Sequence, residues 1–414
     1  MAFLSSIKNT LFLIILLSAC GISERKKSPE IANNKEEIRI SEPRVIVASN
    51  RTESYLPILK DKKIGVVANQ TSVIFKDTQS TIYTHLVDSL RSLKVDIRKV
   101  FAPEHGFRGK ADAGEHVKDG IDTKTGLPII SLYGKNRKPS QEQLKGLDLV
   151  LFDIQDVGVR FYTYIATLQL VMEACAEQQI PVIVLDRPNP NGHYVDGPTM
   201  EEAHTGFLGM TPIPLVYGMT IGEYAEMINE EGWMQDKIKA DLTVIPMEHY
   251  THHTQYSLAI RPSPNLPNDK AINLYPSLGL FEGTNVNAGR GTEFQFQRYG
   301  ASFLDSVNYE FSYTPRPNFG SKSPKQNGLT CFGKDLQHAP HMSEVSLKWI
   351  IDAYNNSADK SLFFNTSGFT RHAGTEKLQQ QIEAGLTGEQ IKASWEEDLL
   401  GFKAIRQKYL KYPD

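Results

Sequence analysis

The sequence has few cysteines and little net charge. Only Cys20, Cys175 and Cys331 occur among 414 residues, and their spacing supports neither a disulfide framework nor a cysteine metal site. The 45 lysines and arginines nearly balance the 48 aspartates and glutamates, which gives a formal charge of −3. Because this balance creates no basic surface, no nucleic-acid partner is predicted.

Several nucleotide-binding and catalytic motifs are also absent. The turn after the first predicted strand, residues 68–73, contains no Gly-x-Gly-x-x-Gly, and the chain has no Gly-x-x-x-x-Gly-Lys-Ser/Thr. It has no His-Glu-x-x-His and no Gly-x-Ser-x-Gly either. The sequence therefore supports no nucleotide cofactor, no zinc-protease motif and no nucleophile elbow, and neither a cofactor nor a metal is predicted.

The amino terminus has the pattern of a bacterial lipoprotein signal peptide. Lys8 precedes the apolar residues 11–17, a run too short to span a bilayer but long enough for a signal-peptide core. The small residues Ser18 and Ala19 then precede Cys20, which we expect to be lipidated. A plain secretory signal, or a short anchor with an incidental cysteine, is the alternative. Residues 1–20 are thus the predicted signal, and the polar residues 21–42 are a predicted flexible tether. The predicted location is the cell envelope, with a lipid anchor in the membrane.

The remaining chain is long enough for two domains. Apolar strand patterns alternate with helical patterns, which predicts a parallel sheet covered by helices on both faces. The predicted strands are residues 63–68, 96–102, 127–133, 148–153 and 181–186. We expect a Rossmann-like α/β domain over residues 43–262. After the proline-rich connector 260–267, shorter strand and helix patterns predict a smaller α+β domain over residues 263–414.

Polar side chains follow each predicted strand. Parallel strands place their carboxyl ends at one edge of a sheet, where open α/β folds bind ligands, so we expect these side chains to share one cleft. They are Asn69 and Gln70; Glu104, His105 and Arg108; Tyr133; Asp153, Asp156 and Arg160; and Asp186, Arg187, Asn189 and Asn191. Neighbouring Asp186 and Arg187 are alternatively a structural ion pair. The buried Asp153 needs a partner, for which Arg160 or a backbone turn are the candidates.

Two polar, glycine-containing stretches carry the densest set of reactive groups. The first is Phe101-Ala-Pro-Glu-His-Gly-Phe-Arg-Gly109, followed by residues 111–115 with Asp112 and Glu115. Carboxylates, an imidazole and a guanidinium there suit acid/base chemistry and an anion clamp. The second, residues 282–293, offers amide, carboxylate and guanidinium groups that suit a sugar with hydroxyl, acetamido and carboxylate groups. Either stretch is alternatively an ordinary polar surface loop.

Four segments together resemble the NamZ-type exo-β-N-acetylmuramidases. They are residues 101–109 with Gly114-Glu115, Leu151-Phe-Asp-Ile-Gln-Asp-Val-Gly-Val-Arg-Phe-Tyr-Thr-Tyr164, Leu185-Asp-Arg-Pro-Asn-Pro-Asn-Gly192 and Glu282-Gly-Thr-Asn-Val-Asn287. The likeness extends to Ser394-Trp395 and residues 402–410, so it covers nearly everything after the tether. It implies a Rossmann-like domain joined to a smaller carboxy-terminal domain, with the active site in the cleft between them. It also implies release of N-acetylmuramic acid from the non-reducing end of peptidoglycan fragments.

The resemblance also implies that Glu104 is the catalytic carboxylate, with His105, Arg108 and Glu115 in the same pocket. Glycoside hydrolysis needs an acid and a second group that acts as nucleophile or activates water. Glu115, Asp153, Asp156 and Glu282 remain candidates for that second group, as does the 2-acetamido group of the substrate. Arg108, Arg160 and Arg290 are candidates to bind the lactyl carboxylate of muramic acid.

The predicted site therefore has two sets of residues. Glu104, Glu115 and Asp153 are predicted to be catalytic. The predicted substrate-binding residues are Asn69, His105, Arg108, Asp156, Arg160, Tyr162, Arg187, Asn189, Glu282, Asn285 and Arg290. The predicted partners are muramyl saccharides from peptidoglycan and, through lipid on Cys20, a membrane.

Two other functions fit parts of the pattern. A non-catalytic lipoprotein that binds muramyl glycans would also need a signal peptide, two domains and a cleft, but would bind sugar without turnover. A metal-dependent hydrolase would use His105 with Asp153 and Asp156 as ligands, and would lose activity with a chelator.

Overall fold

The computed structural model describes residues 44–77, 80–109 and 119–414. The predicted signal peptide with Cys20, the predicted tether and Glu115 lie outside these ranges. The strands are β1 (Ile64–Ala68), β2 (Val73–Phe75), β3 (Tyr83–His85), β4 (Ile97–Ala102), β5 (Gly120–Ile121), β6 (Pro128–Ser131), β7 (Leu149–Asp153), β8 (Val182–Leu185), β9 (Asp196–Thr199), β10 (Pro214–Val216), β11 (Leu242–Ile245), β12 (Arg298–Ala301), β13 (Phe311–Tyr313) and β14 (Cys331–Asp335).

The longest described helix has 14 residues, and several shorter helices lie near the carboxyl terminus. They are α1 (Thr52–Leu59), α2 (Leu86–Ser92), α3 (Gln141–Leu144), α4 (Tyr164–Glu177), α5 (Ile221–Glu230), α6 (Asp269–Leu278), α7 (Lys348–Asn355), α8 (Thr366–Ala373), α9 (Lys377–Glu383), α10 (Gly388–Ala393) and α11 (Glu396–Arg406). Within the described ranges, no helix has both the length and the apolar character needed to cross a membrane.

A seven-stranded sheet organises the first half of the chain. Its order is β11-β8-β7-β1-β4-β6-β5, and every pair is parallel except β5 with β6. β1 and β7 are buried along their whole length, as expected for strands covered on both faces. All five predicted strands are present, so the predicted Rossmann-like α/β architecture is confirmed.

Local sequence signals predict one helix correctly and overstate another. Thr220 with Glu223 three residues later predicts a capping box, and the two residues form one at the start of α5. The spacing of Ile82, Leu86, Leu90 and Leu93 predicts a helix over residues 80–93, but residues 83–85 form β3 and only α2 is helical. Ile82 and Leu93, two positions of that apparent apolar stripe, are exposed. Pairing of β3 with β2 overrides the local periodicity.

The second half of the chain is an α+β region, as predicted. The antiparallel sheet β12-β14-β13 packs with helices α6 to α11. A short 3₁₀ helix, Gly279–Gly283, follows α6 and lies against α8. A Cβ atom on Gly283 would lie 2.3 Å from the Phe369 backbone, so only glycine permits this approach. The predicted boundary near residue 262 stays a prediction.

Two hydrophobic clusters cover the faces of the large sheet. One contains Val66, Leu86 and Leu149. The other contains Val67 and Phe152 and continues through Phe281 into the α+β region. The helical patterns near the carboxyl terminus predict core positions for Trp349, Trp395 and Phe402, and all three lie in this second cluster. Cys175 and Cys331 are both buried free thiols. Cys175 follows an apolar helical pattern that predicts buried packing, and it lies in the same cluster.

Candidate active site

A cavity of about 390 Å³ lies at the carboxyl edge of the large sheet. Its walls come from the ends of β4 and β6, the segment before α4, a loop at residues 204–209, and the region from α6 to α8. The lining residues are Glu104, Tyr133, Arg137, Phe161, Thr163, His204, Thr205, Gly206, Phe207, Leu208, Gly209, Tyr275, Glu282, Arg290, Arg371 and His372. Both halves of the chain therefore contribute to it.

Glu104 enters the cavity from the turn that ends β4. Pro103 cannot donate to the sheet, which stops the strand directly before this carboxylate. The Thr163 hydroxyl donates to Glu104 Oε2 at 2.9 Å, and the Tyr133 hydroxyl is also hydrogen-bonded to Glu104. Burial and the nearby Glu104 carboxylate raise the pKa of Tyr133, so Tyr133 stays a donor at neutral pH.

His105 follows with a positive φ of 69° and is buried. Such a conformation is unfavourable for a residue with a Cβ atom, and it commonly marks functional turns. His105 does not line the cavity. Its backbone instead sets the direction in which the turn presents Glu104.

Glu282 is the second carboxylate of the cavity. Its Oε1 accepts from Arg290 Nε at 3.2 Å, and the two side chains are 22% and 21% exposed. Burial opposes ionisation, but the positive charges of Arg290 and Lys325 outweigh it and lower the pKa of Glu282. Glu282 is therefore an anion at neutral pH, with Arg290 as its counter-ion.

Aromatic rings form much of the cavity wall. Phe161 and Tyr275 meet edge to face with centroids 5.1 Å apart, and the His372 ring lies 5.4 Å from Phe161. On another side, Phe207 lies 6.4 Å from Tyr133. Apolar rings beside a few fixed polar groups are typical of small-molecule sites.

Two further arginines face the same cavity. The Arg137 guanidinium lies 4.2 Å from the centre of the Phe207 ring. Arg371 Nε donates to the Ser367 carbonyl at 3.1 Å. Neither forms an ion pair with a carboxylate within the described ranges, in contrast to Arg290. Their charges are thus available to an anionic ligand.

Asp153 does not lie in the cavity. Arg187 Nε and Nη2 donate to its two carboxylate oxygens at 2.6 and 2.8 Å, and both side chains are buried. Arg187 also donates to Val73 O and Ser49 Oγ. The sequence offered Arg160 or a backbone turn as the partner of Asp153, and an ion pair between Asp186 and Arg187 as one alternative. The structure pairs Asp153 with Arg187 instead, which gives both residues a structural position.

Arg160 is also buried away from the cavity. It donates four hydrogen bonds to backbone carbonyls, those of Pro198, Ile213, His372 and Ala373, at 2.6 to 3.0 Å. Burial lowers its pKa to about 9. It joins the β9–β10 hairpin to the end of α8, so it cannot bind a substrate carboxylate.

Three other predicted binding residues have structural contacts. Arg108 pairs with Asp88 at 3.1 Å and Asp122 at 2.8 Å. Asn189 Nδ2 donates to the Met219 carbonyl, and Asn285 Nδ2 donates to the Leu362 carbonyl. None of the three lines the cavity. Their contacts stabilise loops around the cavity.

Asn69, Asp156 and Tyr162 lie in the interior rather than on the cavity wall. Asn69 Oδ1 accepts from the amide and hydroxyl of Thr71. Asp156 accepts from Tyr217 and from the Gly158 amide. Of all the predicted site residues that the structure describes, the cavity brings together Glu104, Glu282 and Arg290.

Sequence reasoning missed most of the wall. Tyr133 is one of the strand-end residues expected in the cleft, and it does line the cavity. Phe161 and Thr163 lie within the 151–164 motif, so these two had a signal that was not used. The loop at residues 204–209 had no such sequence signal, because it does not follow a strand of the large sheet. Arg371 and His372 lie on α8, far away in sequence.

The described part of the chain contains no set of ligands for the metal-dependent alternative. Residues 44–77, 80–109 and 119–414 contain no group of three or more His, Cys, Asp or Glu side chains arranged to hold a metal ion. Two of the three proposed ligands have other contacts, since Asp153 pairs with Arg187 and Asp156 bonds to Tyr217.

Comparison with known proteins finds matches over most of the described chain. Family models for the N-terminal and C-terminal regions of exo-beta-N-acetylmuramidase NamZ match residues 64–270 and 273–412. The peptidoglycan beta-N-acetylmuramidase NamZ of Bacillus subtilis (strain 168) is 39% identical over 380 residues, covering 86% of this chain and 89% of that protein.

Two crystal structures of DUF1343 family proteins from Bacteroides fragilis NCTC 9343 have the same fold. One has a TM-score of 0.82 and 42% identity and covers 90% of this chain and 100% of its own. The other has a TM-score of 0.74 and 26% identity, covering 89% and 99%. With both family models matched along the chain, this protein belongs to the NamZ family of exo-beta-N-acetylmuramidases.

Proposed function

We propose that this chain releases N-acetylmuramic acid from the non-reducing end of peptidoglycan fragments, with Glu104 as the general acid/base. The observation that carries this proposal is a single cavity in which Glu104 and the ionised Glu282 both face aromatic walls. The membership of the family supports the glycosidase activity, and so does the B. subtilis relative named as a peptidoglycan beta-N-acetylmuramidase.

Glu104 has the contacts that an acid/base group needs. Thr163 and Tyr133 fix its carboxyl group by hydrogen bonds. In the first step, protonated Glu104 gives its proton to the glycosidic oxygen while the bond from that oxygen to the anomeric carbon breaks. The Glu104 carboxylate then accepts a proton from the water that completes hydrolysis.

Glu282 suits the complementary role. Because Arg290 keeps it ionised, its negative charge can stabilise the positive charge that develops on the sugar ring. The oxygen that attacks the anomeric carbon then comes from water, from Glu282 itself or from the 2-acetamido group of the substrate. We assign Glu282 the stabilising charge, which all three routes require.

We further propose that Arg137 and Arg371 bind the lactyl carboxylate of muramic acid. Arg108 and Arg160 are used in structural contacts, and the charge of Arg290 is balanced by Glu282. Arg137 and Arg371 line the cavity without such a partner. Arginine is well suited to planar carboxylates because its donors form a fork.

The assay for turnover uses the protein without residues 1–20. It measures free N-acetylmuramic acid released from a chromogenic β-N-acetylmuramide and from a muramyl-glucosamine disaccharide. Wild-type protein should turn over both, and Glu104→Gln should lose about 100-fold or more in kcat while remaining folded. Saturable binding of muramyl sugars without release from either substrate would instead identify a glycan-binding lipoprotein.

The specificity assay compares muramyl with glucosaminyl substrates. Arg137→Ala and Arg371→Ala should each raise KM for the muramyl substrate by about tenfold or more, since a charge-assisted hydrogen bond is lost. KM for the glucosaminyl substrate should change little. Arg98→Ala, at an exposed ion pair with Asp96, is the matched control. Equal losses on both substrates would contradict the assignment.

The cellular location is a separate proposal. We propose that lipid on Cys20 anchors the protein in the cell envelope, supported by the apolar core and small residues that precede this cysteine. Metabolic labelling with a radioactive fatty acid should mark wild-type protein but not Cys20→Ala. Equal labelling of both, or a soluble wild-type protein, would rule the anchor out.

A further inference from the structure

A lysine that does not line the cavity contacts the segment that carries Glu282. Lys325 lies in a turn between β13 and β14 and is half-buried. Its Nζ donates to the carbonyl oxygens of Phe281, Glu282 and Thr284 at 2.9, 2.8 and 2.6 Å. An ammonium group has three N–H donors, whereas a neutral amine has two. Three carbonyl partners therefore require the charged form of Lys325.

The three carbonyls lie where the 3₁₀ helix that carries Glu282 ends. This helix spans Gly279–Gly283, and Thr284 follows it directly. The last carbonyls of a helix have no partner within that helix and need donors from elsewhere. Lys325 provides such donors, and it thereby fixes the backbone on both sides of the Glu282 side chain.

Further contacts join the Lys325 turn to the same segment. Asn287 Nδ2 donates to the Lys325 carbonyl at 2.8 Å and to the Arg290 carbonyl at 3.0 Å. Gln326 Nε2 donates to the Asn285 carbonyl at 3.0 Å. The turn thus supports the backbone that carries Glu282 and also the backbone that carries its counter-ion, Arg290.

Lys325 also places a positive charge close to the Glu282 carboxylate. Arg290 bonds to the carboxylate itself, and Lys325 bonds to the backbone of the same residue. Both charges lower the pKa of Glu282 against the effect of burial. In return, burial lowers the pKa of Lys325, and the charge of Glu282 opposes that change.

We propose that Lys325 is a positioning residue for the glycosidase reaction: its ammonium group fixes the backbone that carries Glu282 and places a second positive charge, besides Arg290, near this carboxylate. The inference rests on the proposed role of Glu282 as the stabilising charge. That charge acts most strongly when positive charge develops on the sugar ring. Removal of Lys325 should therefore affect kcat more than KM.

The first test is the kinetics of Lys325→Met on the chromogenic muramide. Methionine has a similar length but neither the charge nor the three donors. We expect kcat to fall about tenfold or more, because the position of Glu282 relative to the anomeric carbon is less well fixed. KM should stay within about twofold, since Lys325 does not line the cavity.

The second test is the pH dependence of kcat/KM. Glu282 must be ionised in its proposed role, so activity is lost as pH falls through the pKa of Glu282. Loss of the Lys325 charge raises that pKa, because one of the charges that lower it is gone. The acid limb of the profile should therefore lie at higher pH in Lys325→Met than in wild type, by about one unit.

Lys270→Met is the matched control. Lys270 Nζ also donates to a backbone carbonyl in the second half of the chain, that of Ala339, but Lys270 does not line the cavity. The control loses a lysine and its bond to a carbonyl without any change near Glu282. Its kcat, its KM and its pH profile should coincide with those of wild type.

The position of the acid limb decides the role of Lys325. A limb at the wild-type pH in Lys325→Met, whatever the loss of kcat, would make Lys325 a structural residue only. If Lys325→Met does not fold, Lys325→Gln replaces it, because glutamine keeps N–H donors for the carbonyls without the charge. An unmoved limb in Lys325→Gln overturns the inference by itself.

Other outcomes separate this inference from the proposed function. A wild-type protein without turnover removes both. Turnover that survives Glu282→Gln removes the proposed role of Glu282 and this inference with it, but leaves Glu104 as the acid/base. Turnover that depends on both Glu104 and Glu282, with the same pH profile in wild type and the Lys325 variants, removes only the role of Lys325.

Discussion

Replacing Arg187 by Met tests whether Asp153 is structural or, as the sequence suggested, catalytic. Arg187 makes two hydrogen bonds to Asp153, at 2.6 and 2.8 Å, and the side chains are 3% and 0% exposed. Methionine has a similar length but no charge, so Arg187→Met leaves the carboxylate buried without a partner. Breaking one half of such a pair costs about 3–5 kcal/mol of unfolding free energy.

The double variant Asp153→Leu/Arg187→Met should recover much of that loss. It removes both charges, so the remaining cost comes from the hydrogen bonds of Arg187 to Val73 O and Ser49 Oγ. Val73 O keeps the Ser49 hydroxyl as a donor at 2.7 Å, so this cost is about 1–2 kcal/mol. The double variant is therefore expected to be about 1–4 kcal/mol more stable than Arg187→Met.

Urea denaturation at pH 7 measures the free energy of unfolding, and the muramide assay measures kcat of the folded protein. The structural assignment predicts lower stability for Arg187→Met and near-normal kcat for the double variant wherever it is folded. The reasoning is refuted if Arg187→Met is as stable as wild type. It is refuted also if Asp153→Asn keeps its stability and loses kcat as Glu104→Gln does.

Three further predictions follow from other parts of the structure. Gly158→Ala should lower the unfolding free energy by about 2–4 kcal/mol, because φ is +75° and a Cβ atom would lie 2.2 Å from Asn189 Oδ1; a melting temperature equal to that of wild type would contradict this. His85 has a pKa lowered to about 4, chiefly by burial and by the charge of Arg108, so the unfolded chain binds its proton first as pH falls below 6.5. The contribution of neutral His85 to the free energy of unfolding is complete above pH 6.5 and is lost between pH 6.5 and pH 4. In urea titrations between pH 7 and pH 5, wild type should therefore lose about 2 kcal/mol more unfolding free energy than His85→Gln. Turnover of the muramide should survive EDTA, and activity lost with EDTA and restored by a divalent metal would revive the metal-dependent alternative.

The architecture could be read from the sequence because its signals are local. An apolar run such as residues 148–153 predicts a strand buried on both faces, and β7 is such a strand. Thr220 and Glu223 cap α5 through hydrogen bonds to neighbouring backbone groups. Parallel connections then place the strand ends on one edge. Glu104 could be identified for the same reason, because Pro103 ends β4 and therefore places Glu104 at that edge.

The pairing of buried charges could not be read in this way. Asp153, Arg160, Asp186 and Arg187 all follow strands at the same edge, and any of several pairings satisfies the sequence. The distances between strands decide the outcome: Arg187 reaches Asp153 on the neighbouring strand β7, whereas Asp186 accepts from Thr220 and Tyr412. Arg160 turns instead toward backbone carbonyls.

The sequence by itself determined the Rossmann-like sheet, the α+β region, the family and the position of Glu104, because these depend on short-range periodicity and on contiguous motifs. Only the tertiary structure decided which side chains surround Glu104. Glu282, Arg371 and Phe207 come from segments separated from Glu104 by about 100 residues or more in the chain. Glu282 and Arg371 lie close together because the close contact at Gly283 places the 3₁₀ helix against α8. Such long-range packing has no local signature in a single sequence.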